Sequence, residues 1–333
     1  DGKYGVEATG INSPVVENLR IKTKTLPADR NIWFAEIYDN ITKDSKYGGI
    51  LFVDVKNGQI RGNTIVAEDG TIDGITNMAG VSGITLIRSE NVLVAQNQNN
   101  GSIFQLIIAG GKNNVILDNE LIGRGRTSVT PTGETCFGCD AAAVVLTYDH
   151  SDPNYPNGIA TSGNIIGLPG HVNHISGPDG ILSRWNGKVN PESITANDVI
   201  VANNWFENIA YNAVEAVASA GWQFSHNSVR NAQVAYWLTG ANAEINDGYQ
   251  ADLNNVTTAL KTDDIYNGQN LKGDVRPTKT GLTNINLPQA VQNYLGSPLS
   301  QLPQKVTGLA APLPLQGPTL NQGGAPGPDR HKD

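Results

Sequence analysis

The chain has 333 residues, of which 39% are hydrophobic and only 16% are charged, and its formal net charge is −8. The apolar fraction excludes a wholly disordered chain, and the low charge argues against a coiled coil, which is rich in Glu and Lys. Basic residues never form runs longer than two, so no nucleic acid is expected as a partner, and no apolar stretch approaches the length of about 18 residues that predicts a membrane span.

Asparagine recurs along the chain at a step of about 22 residues, and each one precedes a short apolar or alternating segment. These segments are rich in β-branched residues and bounded by Gly and Asn, which is typical of strands. No amphipathic helical stripe occurs in residues 1–255, which argues against the helical repeat classes. The recurring asparagines are Asn18, Asn40, Asn63, Asn97, Asn119, Asn164, Asn204 and Asn227.

Three short strands in each step, stacked in parallel, predict an all-β fold, a right-handed parallel β-helix of about eleven coils. Asn is expected at the corners because, after Gly, it tolerates the left-handed backbone region best. Stacked Asn side chains can also form hydrogen bonds from coil to coil. The alternative is a β-sandwich in which these asparagines are ordinary loop residues.

The two cysteines, Cys136 and Cys139, are separated by two residues. Such a pair forms a local disulfide, a redox centre or half of a zinc site. No helical pattern follows the pair, and the candidate second ligand pair, His171 and His174, is distant in sequence. A local disulfide is therefore favoured, free thiols are the alternative, and no metal site is predicted.

Strands in the middle of the chain are predicted to bring acidic side chains to one outer face. The register puts Leu182, Glu215 and Tyr236 in one column. Glu215 interrupts an apolar run, where a carboxylate has a raised pKa and suits a general acid. Asp179, in a Pro-Asp-Gly turn, is the predicted nucleophile or water activator, and Arg184 is expected to orient the substrate. The alternatives are a simple Glu215–Arg184 salt bridge and an ordinary turn at Asp179.

Five further residues are predicted to contact the substrate beside these acids. Trp185 and Tyr236 are expected to stack on sugar rings, because eight aromatic residues cluster between positions 185 and 237. Asp149 and His150 follow a strand, open a long loop and can form an acid/base pair. Glu192 lies on a second long loop that can reach over the groove. Ordinary loop hydrogen bonds are the alternative for Asp149 and His150.

The C-terminal region differs in composition, since nine of the 17 prolines lie between positions 277 and 328. Residues 256–300 are predicted to cap the open end of the rod, with one short helix over 287–295, and residues 301–333 to form an extended Pro/Gly-rich tail. The first residues, Asp1 to Lys3, are typical of a processed exported protein and equally of a trimmed chain.

The asparagine-punctuated coils over residues 14–255 resemble the pectin-lyase-like right-handed β-helix superfamily. The resemblance implies a secreted or cell-surface protein with a polysaccharide or oligosaccharide partner, and it allows a homotrimer, as in phage tailspikes. The sharper motifs of individual families are missing, among them the Asp-Pro-His-Asp of alginate epimerases and the Trp-x-Asp-His of pectate lyases. No individual family is therefore identified.

Charge separates the enzyme classes that this resemblance implies. A lyase acting on a polyuronate needs cations at its site, whereas residues 179–240 carry more acidic than basic residues. The sequence therefore favours a hydrolase or transferase that uses a carboxylate pair on a largely neutral glycan. A polysaccharide lyase and a non-catalytic adhesin or tailspike are the alternatives. No cofactor is predicted, although Ca²⁺ bound by scattered carboxylates stays open.

Overall fold

The structure, a computed structural model, describes most of the repeat region and one C-terminal helix. The described residues are 4–23, 48–67, 70–72, 75–78, 82–100, 104–123, 127–129, 135–137, 142–149, 158–168, 170–183, 196–217, 219–220, 222–225, 227–230, 232, 234–239, 243–246, 276–278 and 287–296.

The chain winds through three parallel sheets in turn, and each circuit adds one strand to each sheet. Sheet 1 comprises β1 (Tyr4–Thr9), β4 (Gly48–Val53), β9 (Ser82–Ile87), β12 (Phe104–Ala109), β17 (Ala142–Thr147), β21 (Asp179–Ser183), β25 (Asn212–Val217) and β29 (Val234–Thr239). Sheet 2 comprises β2 (Val15–Glu17), β5 (Gln59–Arg61), β10 (Leu93–Ala95), β13 (Val115–Leu117), β19 (Ile165–Ile166), β23 (Ile200–Ala202), β27 (Trp222–Ser225), β30 (Ala243–Asn246) and β31 (Arg276–Thr278). Sheet 3 comprises β3 (Arg20–Thr23), β6 (Thr64–Ala67), β11 (Gln98–Asn100), β14 (Glu120–Ile122), β20 (His174–Gly177), β24 (Trp205–Ile209) and β28 (Ser228–Arg230).

Smaller pairings accompany the three main sheets. Strand β7 (Gly70–Ile72) pairs antiparallel with β8 (Ile75–Met78), and β15 (Thr127–Val129) with β16 (Thr135–Phe137). A fourth parallel sheet is short and contains β18 (Thr161–Ser162), β22 (Ala196–Asn197) and β26 (Ser219–Ala220).

This winding confirms the predicted fold class, a right-handed parallel β-helix. The coil count was wrong: sheet 1 has eight strands in the described residues, not about eleven. At ~4.8 Å per strand, eight coils make a rod of roughly 35 Å. The excess arose because the predicted count divided residues 14–255 by a step of about 22 residues, whereas several coils are longer than this step.

Alternation within the strands separates the inside of the rod from its outer faces. Side chains at every second position of a strand point to one side of the sheet. The inward ones form a single apolar core that runs along the coils and includes Ile84, Leu106, Val144, Ile181 and Val214 of sheet 1. This core fixes the register, because a slip of one residue would turn each apolar side chain outward.

A ladder of buried asparagines stacks at the corner between sheets 2 and 3. Each side-chain amide donates to the side-chain oxygen of the asparagine in the next coil, over 2.9–3.1 Å. The rungs are Asn63, Asn97, Asn119, Asn173, Asn204 and Asn227. The predicted hydrogen bonding from coil to coil is confirmed.

The backbone reason given for these asparagines was wrong. The residue in the left-handed region is the one before the rung, as at Gly62, Gln96, Asp118 and Asn203, with φ between 55° and 62°. The rung itself is selected for its side chain, which satisfies backbone groups that the corner leaves without a strand partner. Asn18 does adopt the left-handed conformation, at φ 56°. Asn40 lies outside the described residues.

The predicted repeat also combined asparagines from different corners of the coil, because it placed Asn164 between Asn119 and Asn204. Asn164 belongs to a second stack, between sheets 1 and 2, where its side-chain oxygen accepts from the backbone N–H of Asn114 at 2.9 Å. The rung that follows Asn119 is Asn173, 54 residues on, which the sequence analysis missed. This coil is longer than the step of about 22 residues, so the spacing between Asn119 and Asn173 does not show the repeat.

The predicted C-terminal helix is present as α1 (Gln289–Leu295). Its Val291 and Tyr294 pack on outward apolar residues of sheet 2, among them Leu93, Val115 and Ile200. This segment therefore lies on the flank of the rod, whereas β31 extends sheet 2 beyond β30. The predicted boundaries at 255 and 300 fall outside the described residues and stay predictions. No helix in the described part has the length and apolar character needed to cross a membrane.

Polar contacts hold α1 in place beside its apolar ones. The Tyr294 hydroxyl donates to Asp118 Oδ2 over 2.7 Å, and His171 Nδ1 lies 2.7 Å from the same oxygen. The rings of His171 and Tyr294 lie 5.7 Å apart. Burial, followed by the hydrogen bond to Asp118, raises the pKa of Tyr294 well above its usual value, so the phenol stays protonated as the donor.

Candidate functional site

The two predicted catalytic acids lie on neighbouring strands of sheet 1 and share a neighbour. Asp179 Oδ1 accepts from the backbone N–H of Asn212 at 2.9 Å, and Asn212 Nδ2 donates to Glu215 Oε2 at 2.8 Å. Strands β21 and β25 create this proximity because Leu182 pairs with Glu215, as predicted. The structure therefore brings Asp179 and Glu215 together through one amide side chain.

This pair is covered in the structure, unlike the open groove that was predicted. Glu215 is 2% exposed and Asp179 is 1% exposed. The column neighbours of Glu215, which are Thr85, Ile107 and Leu182, are also buried, although they point away from the core. The outward side chains of this column are therefore buried along the middle strands of sheet 1.

Tyr236 does not contribute to a groove, and this prediction was wrong. The register pairs Glu215 with Trp237 and Val214 with Tyr236. Tyr236 is therefore turned into the core, where its ring packs on Phe224 with centroids 4.5 Å apart. The predicted alignment of β25 with β29 was off by one residue, which exchanges the two faces.

Asp149 is fully buried at the end of a sheet 1 strand and takes part in a charge cluster. Arg88 Nη1 donates to Asp149 Oδ2 over 2.6 Å, and the other side of the guanidinium binds both carboxylate oxygens of Asp54, over 2.8 and 2.9 Å. The hydrogen bond to Asp54, above the opposing effect of burial, raises the pKa of Arg88. The same bond lowers the pKa of Asp54.

A shallow cleft of about 380 Å³ opens beside this cluster. Lys56, Glu90 and Lys112 stack along its wall in successive coils, and Ile159 closes one side. The positive charges of its three cations are largely neutralised by acidic side chains, since Lys56 lies 3.7 Å from Glu90 and Arg88 binds two aspartates. The cleft is therefore not expected to favour anionic over cationic ligands.

Four predicted site residues fall outside the described residues: His150, Arg184, Trp185 and Glu192. Cys139 does so as well, while Cys136 lies in β16, so the state of this pair stays a prediction. No group of three or more His, Cys, Asp or Glu side chains suited to a metal ion occurs in the part of the chain that the structure describes.

The outer face of sheet 3 carries an exposed site that the sequence analysis did not select. Register places one row of polar and aromatic side chains along the rod, one from each coil. The row is Thr64, Gln98, Glu120, His174, Trp205 and Ser228. It runs parallel to the rod axis at a spacing of ~4.8 Å, so an extended ligand can contact several coils at once.

Trp205 and His174 form the centre of this face. Trp205 is 39% exposed, and its ring stacks on the imidazole of His174 with centroids 5.0 Å apart and planes 28° apart. Glu120 Oε1 lies 3.9 Å from His174 Nδ1, and Glu207 Oε2 lies 3.5 Å from His174 Nε2. His174 therefore lies between two partly exposed carboxylates and stacks on the exposed Trp205 ring.

The positions of the ladder asparagines in the sequence indicate which residues form this row. Each of its members directly follows a rung, as Glu120 follows Asn119 and Trp205 follows Asn204. A residue that follows an inward rung at the start of a strand points outward, because side chains alternate. Taking the residue after each ladder asparagine would have selected the row from the sequence, and His174 with it once Asn173 was recognised as a rung.

Comparisons with known proteins identify no family for this chain. No protein-family description matches the sequence, and no curated protein does. Among solved structures, the chain is similar to the Streptococcus pneumoniae surface protein and adhesin PfbA, at 12% identity and a TM-score of 0.42, over 75% of this chain and 65% of that one. It is also similar to the Dettilon tailspike protein, at 13% identity and a TM-score of 0.31, over 74% of this chain and 54% of that one. The chain spans less than two thirds of either structure.

Proposed function

We propose that this chain binds a polysaccharide along the outer face of sheet 3, with Trp205 as the stacking platform. The exposure of the Trp205 ring on a flat parallel face carries this proposal, since large aromatic side chains are normally buried. An exposed aromatic face offers apolar area to one side of a sugar ring, and neighbouring polar groups fix its orientation. His174 supplies such a group in the adjacent coil, and Glu120 supplies another in the coil beyond it.

Replacing Trp205 with Ala is expected to weaken glycan binding at least tenfold. Truncation of a Trp anchor typically costs about 2 kcal/mol or more, and each 1.4 kcal/mol is about a factor of ten in Kd. Binding would be measured by affinity electrophoresis in a panel of polysaccharides and by titration calorimetry with the best ligand. Circular dichroism would verify that the variant keeps its β structure.

A matched control is Ile11→Ala, which removes a similarly exposed apolar side chain from the first coil, away from sheet 3. Its binding should equal that of the parent chain, and Trp205→Phe should recover part of the lost affinity. Unchanged glycan binding in Trp205→Ala would reject sheet 3 as the binding face.

We propose hydrolysis of the glycan as a second candidate function, centred on Asp179 and Glu215. The observation that favours it is their common contact with Asn212, which links the two carboxylates. Hydrolysis by such a pair needs one carboxyl group as acid and the other as base or nucleophile. Both carboxylates are almost fully buried, and a polymer cannot reach them in this arrangement, so binding is the stronger proposal.

Glu215→Gln is expected to abolish release of reducing ends from a cleaved polysaccharide while the fold survives. Gln keeps the shape of Glu and can still accept the hydrogen bond from Asn212, but it cannot transfer a proton. The control is Glu7→Gln, because Glu7 occupies the same outward column on β1 and is exposed. Parent-like turnover in Glu215→Gln would eliminate this centre.

A further inference from the structure

The cleft at the corner between sheets 1 and 2 is separate from the sheet 3 face and has no part in the proposed function. Its charged residues lie in the turns that lead from β4 to β5, from β9 to β10 and from β12 to β13. Its volume of about 380 Å³ equals that of roughly a dozen water molecules at about 30 Å³ each. The cleft therefore has room for one small-molecule ring with its substituents.

The floor of the cleft stays open because Gly110 has no side chain. Its backbone is left-handed, with φ 63°, and a Cβ atom there would lie 3.0 Å from Asp149 Cβ and 3.1 Å from the carbonyl oxygen of Ile159. Arg88, which belongs to the preceding coil, reaches past this position to bind Asp149. Another residue at position 110 would be strained and would add a side chain to the cleft that Arg88 and Ile159 line.

The two sides of the cleft differ in how far their charged groups are already engaged. On one side Arg88 binds two aspartates through hydrogen bonds of 2.6–2.9 Å. On the other side Lys56, Glu90 and Lys112 are register neighbours in successive coils. The one contact of these three charged groups within the described part of the chain joins Lys56 to Glu90 at 3.7 Å, which is too long for a hydrogen bond. This second side therefore keeps hydrogen-bonding capacity for a ligand.

Donors and acceptors alternate along the second side. An ammonium group only donates hydrogen bonds, a carboxylate only accepts them, and a hydroxyl group does both. Neighbouring coils are ~4.8 Å apart, so a hydroxyl group between Glu90 and Lys112 can donate to the first and accept from the second. A ligand carboxylate in the same place would be repelled by Glu90, and a ligand ammonium group would be repelled by Lys112.

We infer that this cleft binds an uncharged sugar ring through its hydroxyl groups. A sugar ring carries several hydroxyl groups, which can engage the alternating groups of Lys56, Glu90 and Lys112 together. Ile159, at the edge of the cleft, offers apolar area to the ring. The fixed arrangement of Arg88 and its two aspartates keeps the opposite side in place, so the ligand does not have to order it.

Titration calorimetry with the methyl glycosides of glucose, galactose and mannose tests the inference. All affinities are measured in the Trp205→Ala chain, so the sheet 3 face does not contribute. At least one of the three should bind, and its C6-carboxylate and 2-amino forms should bind no more tightly than the neutral ring. Glu90→Ala and Lys112→Met should each weaken the best ligand about tenfold, because each removes a hydrogen bond to a charged group.

Glu17→Ala is the matched control, because Glu17 is an exposed carboxylate that pairs with Arg61 on sheet 2, outside the cleft. It should leave the affinity unchanged, and circular dichroism should show the β structure of the parent chain in every variant. Absence of binding by all three glycosides, tighter binding of a charged form, or equal affinities with and without Glu90 and Lys112 would overturn the inference. Failure of the proposed function has a different signature, which is unchanged polysaccharide binding when Trp205 is replaced.

Discussion

Replacing Asn119 with Ala is expected to lower the free energy of unfolding by about 3–5 kcal/mol. The Asn119 side chain forms four hydrogen bonds inside the rod: it donates to Val94 O and Asn173 Oδ1, and it accepts from the backbone N–H and the side chain of Asn97. A buried polar group that loses its partner costs about 1–3 kcal/mol. Several such groups are affected at once, some of which retain a second partner, so the effect exceeds that of an ordinary polar substitution.

Denaturant unfolding followed by circular dichroism measures this loss. Asn100→Ala is the matched control, since Asn100 lies three positions after the ladder residue Asn97, on the outer face of sheet 3, and is half-buried. Its substitution should cost less than about 1 kcal/mol, as is usual for surface positions. If the Asn119 variant were as stable as the Asn100 variant, the asparagine ladder would be a consequence of the β-helix fold and would not stabilise it.

The winding was predictable because its determinant is local and repeated. Each rung, such as Asn97 or Asn119, satisfies backbone groups at a corner whose strands are too short to do so themselves. A stack of identical corners gives a sequence period even where the strands vary. Asn173 escaped detection because an inserted loop, with a turn at Leu168 and His171, separates it from the preceding rung.

Register on the outer faces was harder to predict. Strand β29 reads Val-Ala-Tyr-Trp-Leu-Thr, in which both alternating sets are apolar, so the sequence does not distinguish inward Tyr236 from its neighbour Trp237. In β24, by contrast, exposed Trp205 follows a ladder asparagine and alternates with buried Phe206. The position of a side chain was therefore predictable where a rung precedes it.

Burial of Glu215 had no counterpart in the sequence pattern. Glu215 points outward by alternation, and the strand order alone predicts that it is solvent-exposed. Asp179 lies two positions before inward Ile181 and therefore shares its side of the sheet. The observed burial of Glu215 is a tertiary property that the alternation within its own strand does not specify.

Arg88→Ala is expected to destabilise the chain by about 3 kcal/mol, because it leaves the carboxylate of Asp149 buried without its guanidinium partner. Removing one member of a buried ion pair typically costs 3–5 kcal/mol, and the lower end applies because the Arg88 side chain is 22% exposed. Lys56→Ala is the matched control: its contact with Glu90, at 3.7 Å between exposed side chains, should contribute less than about 1 kcal/mol.

The same cluster predicts how stability depends on pH. Arg88 lowers the pKa of Asp54 in the folded chain below its ordinary value of 3.8, so folding favours the ionised form. This contribution is fully present above pH 3.8 and is lost as the pH falls through the lowered folded pKa. Parent and Arg88→Ala chains, unfolded in denaturant at a series of pH values, should therefore differ most above pH 4 and converge in strong acid. A difference that stays constant down to low pH would show that Arg88 stabilises the corner through packing and not through its two aspartates.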